Sequence, residues 1–287
     1  MRWKQRPIPA AVLLVVSIAI QIAVEPLAAG QQQSQIAIPT AQELDQLLAP
    51  IALYPDALVA QITAASTNPQ EILDIAGWRQ QNSGLSGDAL VNAAQQQGFD
   101  PAFIALLNFP TVLDMMAQNI DDYAAIGAAF SANQGSVMDS IQRLRSQAYA
   151  SGALRSTPQL QVVQQPQGAQ QVVVIQPANP QVVYVPVYDP AVIYGGPPPG
   201  AVIGSLISFG AGIAIGASFG GGYPWGWGGW GWNWGRRSVI VNHNGWIVNN
   251  RYRPRRYTYR PRPVPYASRP GYSGSWGRPG NRPVGNT

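Results

Sequence analysis

Residues 201–219, AVIGSLISFGAGIAIGASF, carry no charge, and no other stretch restricts the chain's options as strongly. A small residue returns at every fourth position: Gly204, Ser208, Gly212, Gly216 and Gly220. On an α-helix this spacing lines the small residues along one side. Ile203, Leu206, Ile207, Ile213, Ile215 and Phe219 fall on the others. A groove of small residues lets a second backbone approach closely, which in lipid drives helix association. The spacing therefore predicts a hydrophobic glycine-zipper helix over 201–219, able to support a homo-oligomer. Such a helix would rise about 28 Å against a hydrocarbon core of about 30 Å, which makes it a transmembrane candidate. The alternatives are a zipper buried between protein subunits and a glycine-rich connector. A lone soluble helix is disfavoured, since each glycine costs about 1 kcal/mol in water. Trp225, Trp227, Trp230, Trp232 and Trp234 follow, and amphipathic rings of this kind favour the head-group zone. Arg236 and Arg237 come next, placed to meet phosphates.

The N-terminus points to export. Arg2, Lys4 and Arg6 precede an uncharged apolar run from Ile8 to Val24, and Ala28-Ala29-Gly30 fits the small-x-small cleavage rule. This is the layout of a secretory signal peptide over 1–30, with an uncleaved anchor as the alternative. Cysteine is absent, which excludes disulfides, thiolate metal sites, thiol catalysis and a lipidated N-terminal cysteine.

Charge divides the mature chain. Residues 31–150 carry eleven acids against Arg79, Arg143 and Arg145, whereas 236–287 carry eleven arginines and no acid. The two parts call for different partners, so the net charge of +5 describes neither. Arg251, Arg253, Arg255 and Arg256 begin an Arg/Pro/Tyr-rich tail over 251–287, too poor in apolar residues for a core and expected to be disordered. Guanidinium groups suit bidentate phosphate contacts. Membrane lipid or lipopolysaccharide head groups are the expected ligands. RNA or single-stranded DNA is the alternative, and export weighs against nucleic acid. If 201–219 spans a membrane, the tail lies inside, as the positive-inside rule prefers. If it only dips into a leaflet, the tail faces anionic head groups from the periplasm.

The rest of the chain reads as mainly α. After a Gln-rich leader over 31–40, residues 41–155 form one all-α domain. Asn68-Pro69-Gln70-Glu71 is a strong helix start, Ser86-Gly87-Asp88 and Asp100-Pro101 are others, and Gly98 and Gly152 are stops. Tyr54-Pro55-Asp56 and Phe109-Pro110-Thr111 share an aromatic-Pro step into a helix. From Ser136 to Ala150, Val137, Ile141, Leu144 and Ala148 form one buried stripe, with Gln142, Arg143, Arg145 and Ser146 mostly on other faces. Residues 156–200 form a Pro-punctuated extended segment, with short strands at 172–175, 182–187 and 192–194. A Gly/Trp-rich segment over 220–250 ends in a β-hairpin, Val239–Val241 against Trp246–Val248 around Asn244-Gly245.

No catalytic, cofactor or metal site emerges. Gly216-Ala217-Ser218-Phe219-Gly220 matches G-x-S-x-G, but no acid follows Asp189 to complete a triad. His243 is the sole histidine, and Asp121-Asp122 reads as a helix-start pair. The chain is therefore read as a non-enzyme. The alternative is a cell-wall remodelling enzyme using carboxylates of the helical domain.

Three longer motifs stand out: LLAPIALYPDALVAQITAAS at 47–66, SVMDSIQRLRSQAYASGAL at 136–154 and PANPQVVYVPVYDPAVIYG at 177–195. In these the chain resembles the bacterial domain-of-unknown-function 3300 family of exported proteins, over about 41–250. The resemblance implies export and a membrane-associated place in the cell envelope, and it carries over no catalytic residue. The helical domain, on its own reading, is expected to bind an unidentified envelope protein.

Overall fold

Local chemistry sets the helix starts. The computed structural model describes residues 38–167, 170–196, 200, 206–214, 230–243 and 246–247. The leader over 1–30, the tail from Arg251 and residues Gly204, Gly216, Gly220, Trp225 and Trp227 lie outside them. Helix α1 (Ala41–Leu48) opens on a capping box. The Glu43 N–H donates to Thr40 Oγ1, and the Thr40 N–H donates to Glu43 Oε2 at 2.8 Å. Helix α2 (Asp56–Ala65) follows Tyr54-Pro55. Helix α3 (Pro69–Gln81) follows the Asn68 cap, and the Glu71 carboxylate takes bonds from Asn68 Nδ2 and from the Asp100 N–H. Asp100 itself caps α5 (Pro101–Leu106), beyond α4 (Gly87–Gln96). Then come α6 (Pro110–Gln118), α7 (Ile120–Ala132) and α8 (Gln134–Ala150). Gly98 and Gly152 take positive φ of 78° and 75°, as expected of residues that end helices.

Helix α2 is the centre of the core. Every residue from Leu58 to Ala65 is buried, the mark of a helix enclosed on all sides. It touches α3, α5, α7 and two strands. Helix α7 crosses it so closely that a Cβ on Gly127 would lie 1.8 Å from the Ser66 carbonyl oxygen. The aromatic-Pro steps act as expected, with the Tyr54 and Phe109 rings buried ahead of their helices.

Strands complete what the helices leave open. The β1 (Leu160–Gln167) and β2 (Gln170–Pro177) pair is antiparallel, with Val163 opposite Val174. Side chains close its outer edges. Gln142 exchanges two hydrogen bonds with Val173, as a neighbouring strand residue would. Ser156 does the same for Val162, and Pro166 has no N–H to offer an intruding strand. The segments β3 (Val182–Val183) and β4 (Pro186–Tyr188) meet a returning strand in two pieces. Helix α9 (Pro190–Gly195) follows β4. The β-branched run 192–194, expected as a strand, is therefore helical, because Asp189 and Pro190 supply the same start as Asp100-Pro101.

The uncharged run takes a form other than the expected one. Its described part, 206–214, forms β5 (Ile207–Phe209) and β6 (Ile213–Ala214), antiparallel to β4 and β3. A continuous glycine-zipper helix over 201–219 is thus ruled out there. Between the pairs Val183–Ile213 and Pro186–Phe209 the returning strand holds one residue more than its partner, a bulge at 210–212. Gly212 lies against Tyr184, where a Cβ would come within 2.8 Å of the ring. Among the described residues no helix is long and apolar enough to cross a membrane.

Strand β8 (Ser238–His243) pairs with β9 (Trp246–Ile247) through Asn242 and His243, and its residues 238–241 pair with β7 (Trp230–Asn233); the expected Asn244-Gly245 turn and Val248 lie outside the described residues. Strand β7 packs on α2, and one core joins Leu58, Ile141, Leu160, Val173, Trp232 and Val239. The described residues, mainly α, belong to one unit.

Candidate functional site

The three long motifs meet at one buried point. Residues 49–55 form a turn-rich loop between α1 and α2, and its backbone carbonyls need partners. Arg145 supplies them from α8. Its side chain is 0% exposed. Its Nε–H donates to the Ala52 carbonyl at 2.8 Å and Nη2 to the Tyr54 carbonyl at 2.9 Å. Nη1 donates to Asp56 Oδ1 at 2.5 Å and to the Val173 carbonyl at 3.0 Å. The planar guanidinium can hold this many acceptors at fixed angles, which an ammonium cannot.

Asp56 ties in two more elements. Its Oδ1 also accepts the Ile175 N–H of β2 at 3.1 Å, and its Oδ2 accepts Trp234 Nε1–H at 3.1 Å. The Trp234 ring lies with its centroid 5.6 Å from the Arg145 guanidinium carbon, within cation–π range, and stacks on Trp232 at 5.5 Å. The third motif closes the loop from the far side: Tyr188 donates its hydroxyl to the Ala49 carbonyl and accepts the Leu53 N–H. Gln147 holds the Tyr194 carbonyl at 2.9 Å.

Four phenols crowd this region. Burial pushes the Tyr54 hydroxyl up to about 12. Burial also raises Tyr123, aided by the neighbouring Tyr54. Tyr188 and Tyr194 are raised as well, mainly by burial. These groups stay protonated at neutral pH, and of the four it is the Tyr188 hydroxyl that bonds the 49–55 loop.

Two clefts open beside this node, sharing Gln167 and Trp234 in their walls. The first, about 470 Å³, contains one carboxylate, Asp56. The second, about 770 Å³, contains one, Asp139. Each is bound to an arginine, Asp56 to Arg145 and Asp139 to Arg237. Asp45 holds Arg143 at 2.6 Å and also accepts Ser140. Among the described residues neither cleft brings two carboxylates to one space.

The residues singled out in the sequence are redistributed by this geometry. Trp230 and Trp232 are buried on α2 and Phe130 rather than free for a head-group zone, because alternate positions of β7 face the core. Trp234 is half-buried and bound to Asp56. Arg237 donates to Asp139 and to the Gly135 carbonyl, so its charge is used within the fold. Arg236 is exposed. Ser208 donates to the Val187 carbonyl across the β4–β5 pair. Arg145, expected on an outer face of its helix, is the best-buried cation among the described residues. A signal for this existed: Arg145 stands four positions after Ile141 and three before Ala148, inside the apolar stripe. Asp56 and Gln142 gave no local sign of their roles.

Comparison with known proteins places these motifs. A family model described as "Protein of unknown function (DUF3300)" matches residues 40–262. The chain is 37% identical over 187 residues to "Uncharacterized protein YacH" of Escherichia coli (strain K12). That match covers 55% of this chain and 30% of the relative, so the chain spans under a third of the relative's length. No solved structure matches.

Proposed function

The chain belongs to the DUF3300 family, and from that premise we propose that it is an exported, non-enzymatic interaction protein of the cell envelope whose C-terminal arginines hold anionic head groups. The observation that carries this reading is the partition of charge. Asp45, Asp56 and Asp139 are consumed by Arg143, Arg145 and Arg237 within the folded unit. Beyond them, from Arg251 onward, nine arginines follow with no acid in their own segment. Such a segment draws anionic surfaces at about 1 kcal/mol per arginine close to the membrane. The leader over 1–30 would deliver the unit across the inner membrane, and lipid or lipopolysaccharide phosphates are the ligands within reach there. The folded unit then faces an envelope protein partner.

The test is co-sedimentation of the full mature chain with vesicles. Vesicles with about a third anionic lipid should retain it and zwitterionic ones should not, with retention falling as salt rises. Replacing Arg251, Arg253, Arg255 and Arg256 by Gln should release most of the protein. Equal retention of the substituted chain would refute the assignment. Tighter binding to single-stranded DNA than to anionic vesicles at equal salt would favour nucleic acid instead.

A further inference from the structure

The double cleft beside Trp234 has walls of an unusual kind. Successive residues of a strand face opposite ways, so Gln165 and Gln167 of β1 share one face of the hairpin. The pairing register puts Gln170 and Gln176 of β2 on that same face. All four line the clefts. Each amide carries two donors and an acceptor on one planar head. Their charged neighbours are already matched: Asp56 by Arg145, Asp139 by Arg237 and Arg143 by Asp45. An ionic ligand would compete with these pairs for its counter-charge. An apolar ligand would strip water from the amides without replacing its hydrogen bonds.

Hydroxyl groups fit both conditions, since each donates and accepts without charge. Half-buried Trp234, in both walls, adds an apolar edge for C–H groups. Two clefts in series match a chain ligand longer than one ring. We propose that the double cleft binds a neutral oligosaccharide, with Gln165, Gln167 and Gln176 as the hydroxyl-reading residues. None of these residues belongs to the arginine tail, so the site stands or falls without it.

Isothermal titration of the full chain tests this, with the N-acetylglucosamine hexamer, cellohexaose, maltohexaose and hexagalacturonate as probes. At least one neutral hexamer should bind with a Kd below about 1 mM. Preference for the acetylated chain would mark a wall-type glycan, and preference for a plain glucan an exopolysaccharide. The double variant Gln165→Ala with Gln167→Ala should weaken binding about tenfold with an unchanged melting curve. Gln165 is exposed, so Gln165→Ala alone leaves the fold intact and should still weaken it about threefold. The proposal is overturned by any of three results: no neutral hexamer binding, hexagalacturonate binding more tightly than all of them, or full affinity in the Gln165→Ala variant.

Discussion

Replacing Arg145 by Met removes the guanidinium while keeping most of the side-chain volume. Asp56, with 14% of its side chain exposed, would then be a nearly buried carboxylate without a counter-charge. The carbonyls of Ala52, Tyr54 and Val173 would lose their donor in the same step. Removing one partner of a buried pair costs about 3–5 kcal/mol, and each stranded buried polar group adds about 1–3 kcal/mol before relaxation. Water entering the cavity offsets part of this, so a net loss of about 4–6 kcal/mol is expected. That is a large share of a total stability of about 5–15 kcal/mol. Urea unfolding followed by circular dichroism gives the loss from the midpoint, provided the slope is unchanged. Adding Asp56→Leu to Arg145→Met should recover about 2 kcal/mol, since the stranded charge is gone. A single-variant loss below about 1 kcal/mol would refute the reasoning, as that is the size of an exposed ion pair. So would a double variant as unstable as the sum of its parts.

Two further perturbations probe the packing around this node. Gly127→Ala places a Cβ against the Ser66 carbonyl and should destabilise by about 3 kcal/mol, read from the same urea curves. Raising the pH should weaken the fold above the ordinary phenol value of 10.0, because the unfolded chain then sheds protons that buried Tyr54 retains until about 12. The phenol contribution is full below 10.0 and declines through that window; because Tyr123, Tyr188 and Tyr194 are raised too, Tyr54→Phe should make the decline shallower, while costing no more than about 1 kcal/mol at neutral pH.

Much of the helical architecture was legible because its determinants are local. Asn68-Pro69 and Asp100-Pro101 set their helices with bonds reaching only two or three residues. The β8–β9 pairing was likewise foreshadowed by a short pattern. The node was not, since Arg145 and Asp56 stand 89 residues apart and neither position betrays the other. The uncharged run misled for a different reason. A four-residue repeat lines one face of a helix, but four is even, so it also keeps to one face of a regular strand. Pairing with 182–188 decided in favour of strands. The tryptophans misled similarly: alternation at 230, 232 and 234 marks a half-buried strand as well as it marks an interfacial belt.

The helices and the 230–243 segment form one cooperative unit joined through Asp56, Arg145 and Trp234. Hydrogen exchange of the full chain in rising sub-denaturing urea, resolved by peptide, tests this directly. Amides of 56–65 and 230–243 should merge onto a single opening free energy. If 230–243 exchanged freely while 56–65 stayed protected, the C-terminal strands would be an independent appendage and the node no more than a contact.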